Sequence, residues 1–109
     1  TESDISDPDE LVREILPIFL EQSRERLDAL DAAFESRDAA AVHAQTHPLK
    51  TAARYLGAGA LRRVAKDADD RCRAGTEPDW EEVGPLIAGL RREIDRIECW
   101  RDDRVSQSV

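Results

Sequence analysis

The sequence predicts an all-α domain: an antiparallel up-and-down four-helix bundle, led in by a short or kinked helix at the N-terminus. Three observations point there. Apolar residues recur at spacings of three and four along four long stretches, the period of a helix face and not of a strand. Turn and cap residues separate those stretches at Asp38, at Gly57 to Gly59, and at Gly75 to Asp79. Finally, 40% of residues are hydrophobic but only 5% are aromatic, so the core has to be built from Leu, Ile, Val and Ala. Such residues suit helix packing better than a β-sandwich.

The first seven residues are polar and are expected to be a flexible N-terminus, with the bundle spanning 8–103 and a flexible polar tail over 104–109. Asp7 is placed to cap the first helix and Pro8 to occupy its first position. Leu11, Val12, Ile15, Leu16, Phe19 and Leu20 begin an apolar stripe that Leu27, Leu30 and Phe34 continue. Pro17 falls inside it and should kink the helix or split it into a short and a long piece. Ser36 to Asp38 then make a turn, with Asp38 capping the next helix.

That helix is predicted from about Ala39 to Leu56, ended by Gly57, which adopts a left-handed C-cap without steric cost. A third begins after Gly59, carries Leu61, Val64, Ala65, Ala68 and Cys72 on one face, and closes at Ala74-Gly75. The last opens at Asp79, with Glu82 at capping-box spacing and Gly84-Pro85 marking a bend or restart. Val83, Leu86, Ile87, Leu90, Ile94 and Ile97 supply its core face, with Trp100 a further candidate.

A chain of 109 residues makes one domain, which buries roughly 65% of its unfolded surface. Its formal net charge of −8 disfavours nucleic acid or an anionic membrane as partner, since phosphate backbones require a basic footprint. No apolar run is long enough to span a bilayer, and no signal-peptide block is visible. Cys72 and Cys99 fit no zinc pattern and read as reduced thiols of a cytoplasmic domain, Cys72 as a small core residue.

The chemistry concentrates in His47-Pro48-Leu49-Lys50-Thr51-Ala52-Ala53-Arg54-Tyr55-Leu56-Gly57-Ala58. Lys50 and Thr51 lie one helical turn beyond His47 on the same face, and Arg54 lies two turns beyond. An exposed imidazole flanked by cations suits the carrying of an anionic group. The stretch resembles the core motif of histidine-containing phosphotransfer (HPt) domains, roughly His-x-Leu-Lys-Gly-Ser-x-x-x-Leu-Gly-Ala. His47, Leu49, Lys50, Leu56, Gly57 and Ala58 fall in register with it. The likeness extends over about residues 8 to 100, with Arg73-Ala74-Gly75 closing the third helix and Asp69 where the family often has Glu.

The resemblance implies a relay and not an autonomous kinase. His47 would accept a phosphoryl group from the aspartyl phosphate of a response-regulator receiver domain, such as that of a hybrid histidine kinase, and pass it to another receiver. Lys50 would neutralise phosphoryl charge; Arg54, Thr51 and His43 would lie on the receiver-docking face. The receiver would supply the magnesium ion, so the chain itself is expected to hold no cofactor and to act as a monomer. No Gly-rich phosphate loop is present.

Two positions depart from the family pattern. Thr51 stands where a glycine usually lets the receiver approach, and its side chain would crowd that surface. Pro48 has no N–H for the Ala44 carbonyl, a loss of about 3 kcal/mol in a helix interior, and it can re-aim the imidazole. These departures favour an alternative: a degenerate bundle that binds a receiver, or another signalling protein, without phosphotransfer. A second alternative is the dimerisation and phosphoacceptor domain of a sensor kinase, whose His-Glu-x-x-Thr-Pro box Thr51 matches but Pro48 does not. His43 and His47 also form an HxxxH pair. Ala44 stands where a metalloprotease needs glutamate and no third ligand is evident, so no metal site is expected.

Overall fold

The computed structural model describes residues 10–73 and 77–107. The expected Asp7 cap, Pro8 and the closure at Ala74-Gly75 lie outside them. A π-helical turn, Leu11–Ile15, leads into helix α1, Leu16–Glu35. Pro17 explains the seam. Deep in a continuous α-helix its ring would clash with the carbonyl four residues back. Here the Leu16 N–H bonds instead to the Leu11 carbonyl, widening the chain by one residue. Pro17 then falls in the first turn of α1, the part of a helix that tolerates proline best. The split expected at Pro17 is present.

Two closely similar turns follow. After α1, Arg37 takes a left-handed φ of 53°, and the Arg37 and Asp38 amides bond to the Phe34 and Ala33 carbonyls at 3.1 and 2.9 Å. The Arg37 guanidinium lies 4.5 Å above the Phe34 ring, a contact that offsets the backbone cost. Asp38 caps α2 (Ala39–Leu56), its Oδ1 accepting from the Ala41 N–H at 3.1 Å. Gly57, φ 75°, ends α2: its N–H and that of Ala58 return to the Arg54 and Ala53 carbonyls at 3.2 and 2.8 Å. Helix α3 spans Gly59–Arg71 and α4 spans Trp80–Gln107.

Each helix packs against the next, and α4 returns to α1, closing the bundle. Direction is read from cross-helix pairs. Asp31 meets Arg91 at 2.8 Å and Arg24 meets Asp95 at 2.8 Å, so α1 and α4 run oppositely. Leu27 and Leu30 of α1, Val42 and Leu49 of α2, Leu61 and Ala65 of α3, and Val83, Leu90 and Ile94 of α4 form the buried centre. Cys72 is buried among them, and burial with the nearby Asp69 and Glu77 charges pushes its thiol pKa up, as befits a core residue. Among the described residues there is no strand, and no helix is long and apolar enough to cross a membrane.

Four details of α3 and α4 bear on the expected boundaries. Helix α3 stops at Arg71, short of Ala74, with Cys72 closing it. Helix α4 passes through Gly84-Pro85 without restarting. Gly84 is there for contact, since a Cβ on it would come within 3.2 Å of the Phe34 ring. Nor does Glu82 form the reciprocal half of a capping box: Asp79 accepts from the Glu81 N–H at 3.0 Å, while the Glu82 carboxylate pairs with Arg71. Finally, α4 stays helical to Gln107, past the boundary expected at Asp103, with Arg104 stacked 4.7 Å over Trp100.

Candidate functional site

Helices α2 and α3 form a hairpin about Gly57 and Ala58, and that symmetry decides which residues meet. Thr46 lies eleven residues before Gly57, and Asp69 eleven residues after Ala58. The two therefore face each other, and the Thr46 hydroxyl donates to Asp69 Oδ1 at 3.2 Å. One turn to either side on α2, His43 and Lys50 reach the same carboxylate. Lys50 Nζ donates to Asp69 Oδ2 at 2.9 Å, and His43 Nδ1 sits 2.7 Å from Oδ1. The His43 contact is close but off hydrogen-bond alignment, leaving Nδ1 without a hydrogen bond of its own.

His47 completes the group. Its side chain is 60% exposed, and its Nδ1 is 3.7 Å from Asp69 Oδ2. The ring stacks on that of His43, with centroids 5.6 Å apart and planes at 25°. Because Nδ1 faces the carboxylate, Nε2 is the nitrogen presented outward. A carboxylate on the Nδ1 side favours the tautomer with its proton there and its lone pair on Nε2. The ring therefore turns Nε2 toward solvent, with an anion behind Nδ1.

Asp69 is only 3% exposed. Burial raises its pKa, but the Lys50 hydrogen bond, the His43 and Lys50 charges and the Thr46 hydroxyl outweigh that, holding the carboxyl below the usual carboxylate range. It is therefore an anion at neutral pH. The carboxylate in turn restrains Lys50, whose side chain is 25% exposed.

The other expected site residues are placed differently. Thr51 is exposed one turn beyond His47, and its hydroxyl donates back to the His47 carbonyl at 3.3 Å. Pro48 lies within an unbroken α2, so the Ala44 carbonyl lacks its ladder bond. Arg54 does not join the cluster. It lines a recess with Arg62 and Gly57 at the far end of α2, and its side chain makes no hydrogen bond or ion pair among the described residues. His43, expected on the docking face, stands in the cluster with its ring stacked on that of His47.

Asp69 and Thr46 carry no assigned role in the sequence reading, yet Asp69 is the centre of the arrangement. A signal existed: Asp69 is a charged residue in the register of an apolar face that holds Leu61, Ala65 and Cys72. The sequence shows no evident third ligand beside the HxxxH pair, but the fold brings a carboxylate to it. His43, His47 and Asp69 offer donor atoms that all lie within 4.8 Å of one another. Nearby, exposed Ile18 and Tyr55 line an apolar groove with Ala52, beside the stripe of His47 and Thr51.

Comparison with curated proteins and with solved structures returns no match. The family model of the Hpt domain, however, matches residues 14–100. That span takes in α1, α2, α3 and most of α4, with His47 and Asp69 inside it. A four-helix bundle bearing this motif, matched over most of its length, belongs to the Hpt domain family, whose members carry out histidine phosphotransfer in two-component phosphorelays.

Proposed function

We propose that His47 is the phosphoacceptor, taking a phosphoryl group from the aspartyl phosphate of one receiver domain and passing it to another. The observation that carries this reading is the Asp69 carboxylate, 3.7 Å behind Nδ1 of an imidazole that is 60% exposed. His47 Nε2 attacks phosphorus as the bond to the receiver's aspartate oxygen breaks, and that aspartate leaves as a carboxylate. The proton stays on Nδ1, where Asp69 balances the positive charge the ring acquires. The transition state is loose, so alignment and charge neutralisation dominate. Lys50, three residues on and tethered to Asp69, supplies a cation for the phosphoryl oxygens. The receiver brings the magnesium ion.

Docking uses the exposed face of α2. Ile18 and Tyr55 give it an apolar edge, and exposed Thr51 lies one turn beyond His47. Arg54, at the far end of the helix, steers the acidic receiver pocket through longer-range attraction. The domain acts as a monomer in the cytoplasm. Exposed Thr51 at the point of closest approach favours a second reading, in which the face binds a receiver without transfer.

The test is incubation with a phosphorylated receiver, followed by detection of acid-labile phosphate on the chain. Transfer to the native chain and none to His47→Gln is the expected result. Glutamine keeps polarity and bulk but has no nucleophilic ring nitrogen. Equal labelling of His47→Gln, or loss only in His43→Gln, would move the acceptor elsewhere.

A further inference from the structure

We propose that His43, His47 and Asp69 form a binding site for a borderline divalent cation of the Zn2+ type, and that occupation of this site switches off His47 as a phosphoacceptor. The donor set is two imidazoles and one carboxylate, a combination that selects zinc-like ions over magnesium or calcium, which prefer all-oxygen shells. Three protein ligands leave a fourth position for water, as in open zinc sites.

Geometry supports the set. Tetrahedral zinc with bonds of about 2.0–2.2 Å needs ligand atoms roughly 3.3–3.5 Å apart. His43 Nδ1 is 2.7 Å from Asp69 Oδ1 and His47 Nδ1 is 3.7 Å from Asp69 Oδ2, so each imidazole has one carboxylate oxygen near that spacing. All three donors lie within 4.8 Å of one another. Small ring rotations close the remainder, and both rings have room, at 36% and 60% exposed. A second observation is independent of the spacing. His43 Nδ1 is a buried nitrogen aimed at the carboxylate, yet it makes no hydrogen bond, so a ligand atom is already turned inward without a partner of good geometry. Asp69 is meanwhile oriented by Thr46 and Lys50, as outer-shell groups orient metal ligands.

Occupation has a defined chemical consequence. A neutral imidazole has one lone pair in its ring plane. With the Nδ1 proton toward Asp69, that lone pair is on Nε2 and faces the receiver. A cation on Nδ1 takes the lone pair there, and the ring's single proton moves to Nε2. The outward nitrogen then carries a proton and cannot attack phosphorus. Metal and phosphoryl group therefore compete for alternative tautomers of His47, without any collision between them. Lys50 opposes the metal, because its ammonium already occupies Asp69 Oδ2. The blocking step rests on the proposed role of His47; the binding does not.

Untagged chain titrated calorimetrically with Zn2+, with Co2+ as spectroscopic probe, tests the site without any transfer assay. One ion per chain is expected, giving the absorption of four-coordinate Co2+. Half-exposed His43 is the variant of choice: His43→Gln should weaken binding more than about tenfold. Lys50→Ala should tighten it by removing the competing cation, and Cys99→Ser should leave it unchanged. His43→Gln binding as tightly as the native chain would overturn the site, as would loss of binding in Cys99→Ser.

The blocking step is read separately, as the ratio of phosphorylation rates with and without Zn2+. The ratio should fall well below one in the native chain and return toward one in His43→Gln. If His43→Gln loses the metal but its ratio stays low, the tautomer switch is overturned. A native chain that takes no phosphate even without metal overturns the reading of His47, while the calorimetry still decides the site.

Discussion

Lys50 Nζ lies 2.9 Å from Asp69 Oδ2, so a cation one turn from His47 is held by a carboxylate from the neighbouring helix. This pairing makes the site a property of the α2–α3 hairpin and not of the motif on α2 alone. Asp69 is buried and would be costly as an isolated anion. Lys50, Thr46 and the two imidazoles make its charge tolerable, and it returns the favour by fixing where they point. Stability and chemistry are therefore coupled through one side chain.

The first prediction follows from the sign of the Asp69 shift. Its folded pKa is held below the unfolded value, chiefly because the Lys50 hydrogen bond and the His43 and Lys50 charges outweigh burial. The ionised carboxylate therefore contributes stability in full above its unfolded pKa of about 3.9. That contribution is lost as pH falls below that value and through the folded pKa. Relative to Asp69→Asn, the native chain should be more stable by about 1.5–3 kcal/mol near neutrality. Urea melts should show this gap shrinking as pH falls below about 4. A gap that stays constant into strong acid would contradict the assignment.

Lys50→Ala should slow phosphoryl acceptance without abolishing it. Losing one charge-assisted contact costs about 1.5–3 kcal/mol, which is about ten- to a hundredfold in rate. The same change strands the Asp69 charge, so the variant should also melt earlier. Transfer kinetics and thermal melts on one preparation check both effects, and an unaltered rate would remove Lys50 from the phosphoryl site.

Pro48→Ala should raise thermal stability. Helix α2 already runs unbroken through position 48, so alanine's amide can bond the Ala44 carbonyl with no change of path. The regained bond and relieved ring clash are worth up to about 3 kcal/mol, less what proline contributes by restricting the unfolded chain. A rise of several degrees in Tm is expected, and a fall would show that Pro48 shapes α2 favourably.

Much of this architecture was legible because its determinants are local. Asp38, Gly57 and Pro17 act within a few residues of themselves, and each did what its backbone chemistry requires. Gly84-Pro85 does not restart the helix, and for the opposite reason. Its glycine answers to the Phe34 ring across the bundle, a contact invisible in a linear reading. Asp69 was hidden similarly: its partners Thr46 and Lys50 are 23 and 19 residues away, and only folding the hairpin about Gly57 brings them together. Arg54 shows the converse, since helical spacing put it on the right face but did not bring it to the cluster.

The last prediction concerns Thr51, exposed one turn beyond His47 where the family pattern has glycine. Its hydroxyl is turned back to the His47 carbonyl at 3.3 Å, which leaves the bulk of the side chain standing on the docking face. Thr51→Gly removes that bulk at a helix cost of roughly 0.3–1 kcal/mol. If the side chain obstructs the receiver, transfer should quicken or receiver binding tighten, even as Tm drops slightly. Thr51→Ser separates the two roles of the residue, because it keeps the back-bonded hydroxyl and loses the methyl. A rate gain in both variants assigns the obstruction to the methyl, and a gain in glycine alone assigns it to the hydroxyl as well. An unchanged rate in both shows that the receiver accommodates threonine and that the domain is an ordinary relay. No transfer in the native chain or in either variant, with receiver binding retained, selects the binding-only reading instead.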